Sequence, residues 1–332
     1  MNRIVQIDIA KGILIFIVFL GHLVPTSSLI SKIIFNFHMP AFFIISGYIA
    51  PPHDNFNAYK YIKEKIVVYI LPFFIFCTIG IIANFIEGNF KFLNSDFYWK
   101  LFYLGQPSYI SSGSGWFLWA LFWGDLIFYF YKKEIEDKPI LFQLFFIFTL
   151  FYVGIHILQL INGYEITRLP LKIDSGIMAA FFIIIGNLMR KYEINRIINK
   201  HRIIYFILFL IVTLLTAKAN GWANMANCKY YNESLYFIAS LNGFLTIFML
   251  SKHLENSIFS KILKFVGTYS LVYFMLEGFV ARYLDSLMGV VRLGTNIKQA
   301  LYVSLIYYII LIPFAFTIGK AIKILTKRLK GR

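Results

Sequence analysis

The chain has 332 residues, 59% of them hydrophobic and 14% charged, with a mean hydropathy of +0.70. Soluble domains carry nearer a quarter of their residues as Asp, Glu, Lys and Arg, so a water-soluble globular protein is excluded and an all-α polytopic membrane protein is expected. The formal net charge of +16 does not require nucleic acid as a partner, because the basic residues are scattered through short intervals between apolar segments.

The first apolar segment covers about 4–24 and is interrupted by Asp8, Lys11 and His22. Asp8 and Lys11 break the apolar core that a signal peptide needs, and no small-residue cleavage site follows, so the segment is expected to stay as a transmembrane helix. On a helix each residue advances about 100°, so Lys11 and His22 return to nearly one face about 16 Å apart along the axis. Asp8, three residues before Lys11, shares that face. Ionisable groups at bilayer depth normally face protein or water and serve a function. An ion pair at one surface and a solvated imidazole at the other is the plainer alternative.

The second segment, about 33–50, has His38 at its mouth and Pro40 in its expected first turn, where a missing N–H does no harm. Ser46 and Gly47, small among bulky neighbours, suit a close helix approach. The short connection VPTSSLISKII brings His22 and His38 to one side, where an imidazole can act as general base. Two histidines without a third ligand make a weak metal signal, and no metal is expected. Segments follow at about 66–86, 115–131 and 140–161. The fourth opens with Trp116, and tryptophans there either anchor a helix end or, with Tyr109, Trp222, Tyr230 and Tyr231 of other intervals, line a sugar. Asp125 within it needs a cation, for which Lys11 is one candidate; His156 lies near the end of the next segment. Further segments at about 175–189, 203–217, 234–251, 265–284 and 300–319 bring the number to ten. Glu277 stands midway along the ninth, where a carboxyl group needs a proton or a cation.

Intervals alternate in charge. Arg3, Lys60, Lys63 and Lys65, Lys132, Lys133 and Lys138, the stretch 189–202 with Arg190, Lys191, Arg196, Lys200 and Arg202, then Lys252, Lys261 and Lys264, and the tail from Lys320, form one basic set. By the positive-inside rule this set is cytoplasmic, which places both termini there. The stretch 189–202 is suited to an anionic head group or nucleotide phosphates, but topogenic charge explains it more simply, and the tail reads as an amphipathic membrane-surface end. No interval is long enough for a second folded domain, so residues 1–332 are expected to form one membrane domain with chemistry built from helix faces and short loops. Cys77 lies in an apolar run and Cys228 in a polar loop, which excludes a disulfide framework. No internal repeat of the transporter kind is evident.

Asp8, Lys11 with ten residues between it and His22, and FHMPAFFIISGY (37–48) resemble the integral-membrane acyltransferase 3 family. IDIAKG, LGH and FHMP are most similar to its fucose 4-O-acetylase-like, polysaccharide O-acetyltransferase branch. KEKIVVYILPFF, WFLWALF, FFIIIGNLMRK and VGTYSLVYFMLEGF follow in the expected order. The resemblance implies an O-acetyltransferase in the cell (inner) membrane, multi-pass, that moves an acyl group from cytoplasmic acetyl-CoA to a hydroxyl of a cell-surface or exported glycan or lipid-linked sugar. It assigns His22 as the catalytic histidine and Lys11 as the basic residue of the same motif, and Asp8, His38 and Ser46 match further positions of its pattern; Asp8 and His38 are expected to support the catalysis, and Trp116, Glu277, Ser46 and Asp125 are expected to bind substrate. Two positions depart from the family pattern. Lys11 stands where many members have Arg, which keeps the charge but loses a bidentate grip on phosphate, and Glu277 stands where many have His. The appended esterase-like domain of some members is also missing, so the chain is expected to act alone or hand the acyl group on. A transporter or flippase for a lipid-linked sugar, using the same charges as a proton relay, is the competing reading.

Overall fold

The computed structural model describes residues 5–51, 57–90, 94–105, 114–161, 168–194, 196, 201–288 and 297–330. In chain order the helices are α1 (Val5–Leu23), α2 (Leu29–Tyr48), α3 (Ala58–Lys65), α4 (Leu71–Ile86), α5 (Ser95–Phe102), α6 (Trp116–Phe130), α7 (Ile140–Ile161), α8 (Ile173–Lys191), α9 (Arg202–Asn220), α10 (Glu233–His253), α11 (Ser260–Thr268), α12 (Ser270–Met288) and α13 (Ile297–Leu329). Among the described residues no strand forms, apart from one isolated bridge between Asn224 and Lys229. The protein is an all-α polytopic membrane protein: eight helices there are long and apolar enough to cross a bilayer, or nine if one bent pair counts as a single span.

Several starts are set by capping side chains. Ser28 Oγ accepts the Ser31 amide at α2, and Asn57, Asn94 and Asn232 accept the amides of Lys60, Phe97 and Leu235 at α3, α5 and α10. Each satisfies one of the orphan donors of a first turn. The caps at Asn57 and Asn94 account for two helices that hydropathy alone does not suggest.

Four expectations are corrected. The basic residues Lys60, Lys63 and Lys65 stand on a helix, because a π-helical turn at Ile66–Ile70 joins α3 to α4 in one 29-residue span. The expected span at about 265–284 is broken instead, with α11 and α12 bent by 84°. The basic tail continues α13, which runs for 33 residues. Pro40 lies in the middle of α2 rather than in its first turn. A proline there removes the bond to the carbonyl four residues back, and that carbonyl, Asn36 O, accepts Ser240 Oγ at 2.8 Å from α10 instead. The fourth expected segment forms α6, whose 15 residues continue through a five-residue π-helical turn, Tyr131–Ile135.

The chain divides into two compact units. The first comprises Met1–Ile49, Gly186–Met225 and Lys229–Gly319. Its core is built on α1, which meets α11 backbone to backbone: a Cβ on Gly267 would lie 1.7 Å from Asp8 O, and one on Gly12 would lie 2.2 Å from Leu263 O. Only glycine permits that approach. Asn36, Asn220 and Ser240 tie α2, α9 and α10 together, with Asn220 Nδ2 donating to Asn36 Oδ1 at 2.6 Å. The second unit comprises Ala50–Ile185, Ala226–Cys228 and Lys320–Arg332. It packs around the buried face of α6, where Gly124 lies against Ala179 and Ile183 of α8.

Candidate functional site

Helix α1 carries three of the expected site residues. Asp8 is buried and its Oδ1 lies 3.3 Å from Lys11 Nζ, an ion pair one turn apart at the tight crossing with α11. Farther along, in the last turn, His22 Nδ1 lies 2.6 Å from Glu277 Oε1 of α12. The His22 side chain is 36% exposed and that of Glu277 only 5%. A carboxylate only accepts hydrogen bonds, so Nδ1 carries the hydrogen, and in the neutral imidazole the lone pair is then on Nε2. The second oxygen, Glu277 Oε2, is buried without a hydrogen-bond partner among the described residues.

What holds these two helices in register is a chain of tyrosines. Tyr273, one turn before Glu277, donates through its hydroxyl to Tyr308 O at 3.2 Å, and Tyr308 donates to Gly12 O at 3.1 Å. Phe19 of α1 packs against Tyr273 and Tyr307 at ring-centroid distances of 6.4 and 6.0 Å. The two hydroxyls thereby tie α12, α13 and α1 to one another.

His38 belongs to the same neighbourhood in a different state. It is buried, and its Nδ1–H donates to Ile34 O at 2.7 Å, as in a satisfied core histidine. Phe35 lies beside both imidazoles, 5.8 Å from His22 and 4.9 Å from His38, and 5.1 Å from the Trp222 ring. The structure thus joins His22 to Glu277, expected among substrate-binding residues, rather than to Asp8 or His38. Ser46 is half-buried near the end of α2.

Trp116 and Asp125 belong to α6 of the second unit. Trp116, a candidate sugar-binding ring, is buried and lies 6.2 Å from Phe117, edge to face. Asp125 is paired with Lys65 rather than Lys11: Lys65 Nζ lies 2.5 Å from Oδ2 and the Tyr69 hydroxyl donates to the same oxygen at 2.7 Å. Tyr61 donates to the Asp125 carbonyl at 3.1 Å. Tyr230 is buried and Tyr231 exposed, while His156 is half-buried with its ring 4.6 Å from that of Tyr152. Tyr109, Arg3 and Lys200 lie outside the described residues.

The model of an acyltransferase domain matches residues 4–322, from the start of α1 to near the end of α13. The chain belongs to the acyltransferase 3 family. No curated protein and no solved structure matches it. The family match runs through both compact units, so the His22–Glu277 pair and the Lys65–Asp125 pair both lie within the acyltransferase domain.

Two features of this acyltransferase escape a reading by hydropathy. Lys65 counts there only as topogenic charge, although an apolar span beginning at a lysine and another burying an aspartate are complementary. Arg168 grips Asp174 with two hydrogen bonds, Nε to Oδ2 at 2.6 Å and Nη2 to Oδ1 at 2.9 Å, while its Nη1 donates to Ala226 O at 2.9 Å. Asp174 is fully buried. An acid in the first turn of an apolar helix is the local signal for such a partner. Leu171 and Lys172 between them adopt the left-handed backbone, with φ of 49° and 60°, and Trp123 Nε1 donates to Leu171 O at 3.0 Å.

Proposed function

We propose that this acyltransferase is an O-acyltransferase, with acetyl-CoA as donor on the cytoplasmic side and a hydroxyl of a cell-surface or exported glycan as acceptor, as in the polysaccharide O-acetyltransferase branch it resembles. The observation that carries the reading is the 2.6 Å contact between His22 and Glu277 at a partly exposed imidazole. A buried carboxylate that accepts Nδ1–H fixes the tautomer, orients the ring and stabilises the imidazolium that forms when Nε2 takes a proton.

In this reaction Nε2 of His22 removes the proton of the sugar hydroxyl while that oxygen attacks the thioester carbonyl. The tetrahedral adduct collapses with cleavage of the C–S bond, and the proton held on Nε2 passes to the departing sulfur. The products are the sugar ester and the free thiol of CoA. Glu277 holds the Nδ1 hydrogen throughout and acts by position and charge. Lys11, about 16 Å from His22 along α1, supplies positive charge toward the inner leaflet for the CoA phosphates, with Asp8 fixing its side chain. The basic intervals support that orientation through the positive-inside rule.

Membranes carrying the protein, given acetyl-CoA labelled in the acetyl group and envelope polysaccharide, are expected to transfer label to the polysaccharide as an alkali-labile ester. Label that stays on the thioester in wild-type membranes, with polysaccharide present, overturns the assignment.

A further inference from the structure

A second feature of the first unit is a cavity of about 220 Å³ lined by Arg202, Ile203, Phe206, Met249, Leu250 and His253. Arg202 is the first residue of α9 and His253 the last of α10, so both polar heads stand at one end and the wall beyond them is apolar. No carboxylate lines the cavity among the described residues, and Glu255, two residues past His253, is held by Lys252 at 2.7 Å. An apolar cavity of roughly 150 Å³ already accepts a benzene-sized molecule and stays dry; this one accepts a length of acyl chain.

What surrounds it is given by α9. Ile203, Ile204, Ile207, Leu208, Ile211 and Leu215 are all exposed, and in a membrane-spanning helix an exposed apolar face meets hydrocarbon. A ligand arriving from that side needs a chain to fill the groove and an anion to meet the guanidinium and the imidazole N–H. We propose that this cavity binds one anionic phospholipid, with its phosphate between Arg202 and His253 and an acyl chain along Phe206, Met249 and Leu250. The last residue of the basic stretch 189–202 then recognises a lipid head group, beyond any topogenic role.

The test uses the full chain purified in detergent and native mass spectrometry with dioleoyl phosphatidylglycerol, dioleoyl phosphatidylcholine or inorganic phosphate. Phosphatidylglycerol is expected to be retained at one per chain in preference to phosphatidylcholine, and millimolar phosphate is expected not to displace it. Arg202→Gln lowers the preference for the anionic lipid about fivefold, the weight of one basic side chain at a membrane surface. Met249→Trp, which fills the groove, removes the retained lipid of either head group. Equal retention of the two lipids, displacement by free phosphate, or wild-type retention in both variants overturns the proposal.

Discussion

Two buried acids of this protein meet a base in opposite ways. In the second unit, Asp125 is enclosed: the Lys65 ammonium and the Tyr69 hydroxyl both reach Oδ2. In the first unit, Glu277 is half met. One oxygen holds His22 and the other has no hydrogen-bond partner among the described residues, while the imidazole keeps 36% of its side-chain surface. A closed pair stabilises a fold only so long as both partners remain, because either charge alone is costly at that depth. An open pair, with its imidazole neutral, has a lone pair to offer. Under the proposed function the difference separates a structural ion pair from a base, although both are an acid beside a cation-forming side chain within apolar helices.

That contrast is broken most severely at His22. Substitution by Ala is expected to lower acyl transfer by about 10²–10⁴-fold while the protein still inserts into the membrane; full activity in that variant removes His22 from the chemistry. Glu277→Gln keeps the shape but not the charge, and transfer should fall by about 10²-fold with donor KM unchanged, measured as initial rate against acetyl-CoA concentration. A drop in KM-limited rate alone would make Glu277 a donor contact instead. On the closed pair the effect moves from rate to stability. Asp125→Asn leaves Lys65 without its counter-charge and is expected to cost about 3 kcal/mol, read as a lower melting temperature in detergent, with most of the loss recovered in Asp125→Asn/Lys65→Met. Gly267→Ala forces α11 away from Asp8 at the crossing and should cost about 1–3 kcal/mol by the same measurement. The smallest effect is expected at Ser240→Ala, which leaves Asn36 O unmet, about 1 kcal/mol.

Much of this was legible in the order of residues. Long apolar runs set the helices, because the bilayer admits few other ways of satisfying backbone groups, and the ends of α7, α8, α9 and α10 fall within a few residues of the hydropathy limits. Asp8, Lys11 and His22 were legible as one face because helical periodicity is local. The partner of His22 was not. Glu277 lies 255 residues away, and hydropathy marks it only as a buried acid in need of something. Asp125 shows the same limit: Lys65 and Lys11 are equally good cations by composition, and only packing chooses. The break between α11 and α12 is hidden for another reason, since Thr268 and Tyr269 look like ordinary members of an apolar run; the run turns just after the close backbone contact at Gly267.

Pro40 gives α2 a dependence that its length and hydropathy conceal. With the Asn36 oxygen served by a hydroxyl from α10, the middle of α2 closes its backbone ledger only with a neighbour in place. Amides around Phe37–Ile44 and around Ser240 should therefore lose hydrogen-exchange protection in a single concerted opening, making the two helices one cooperative block during insertion and unfolding.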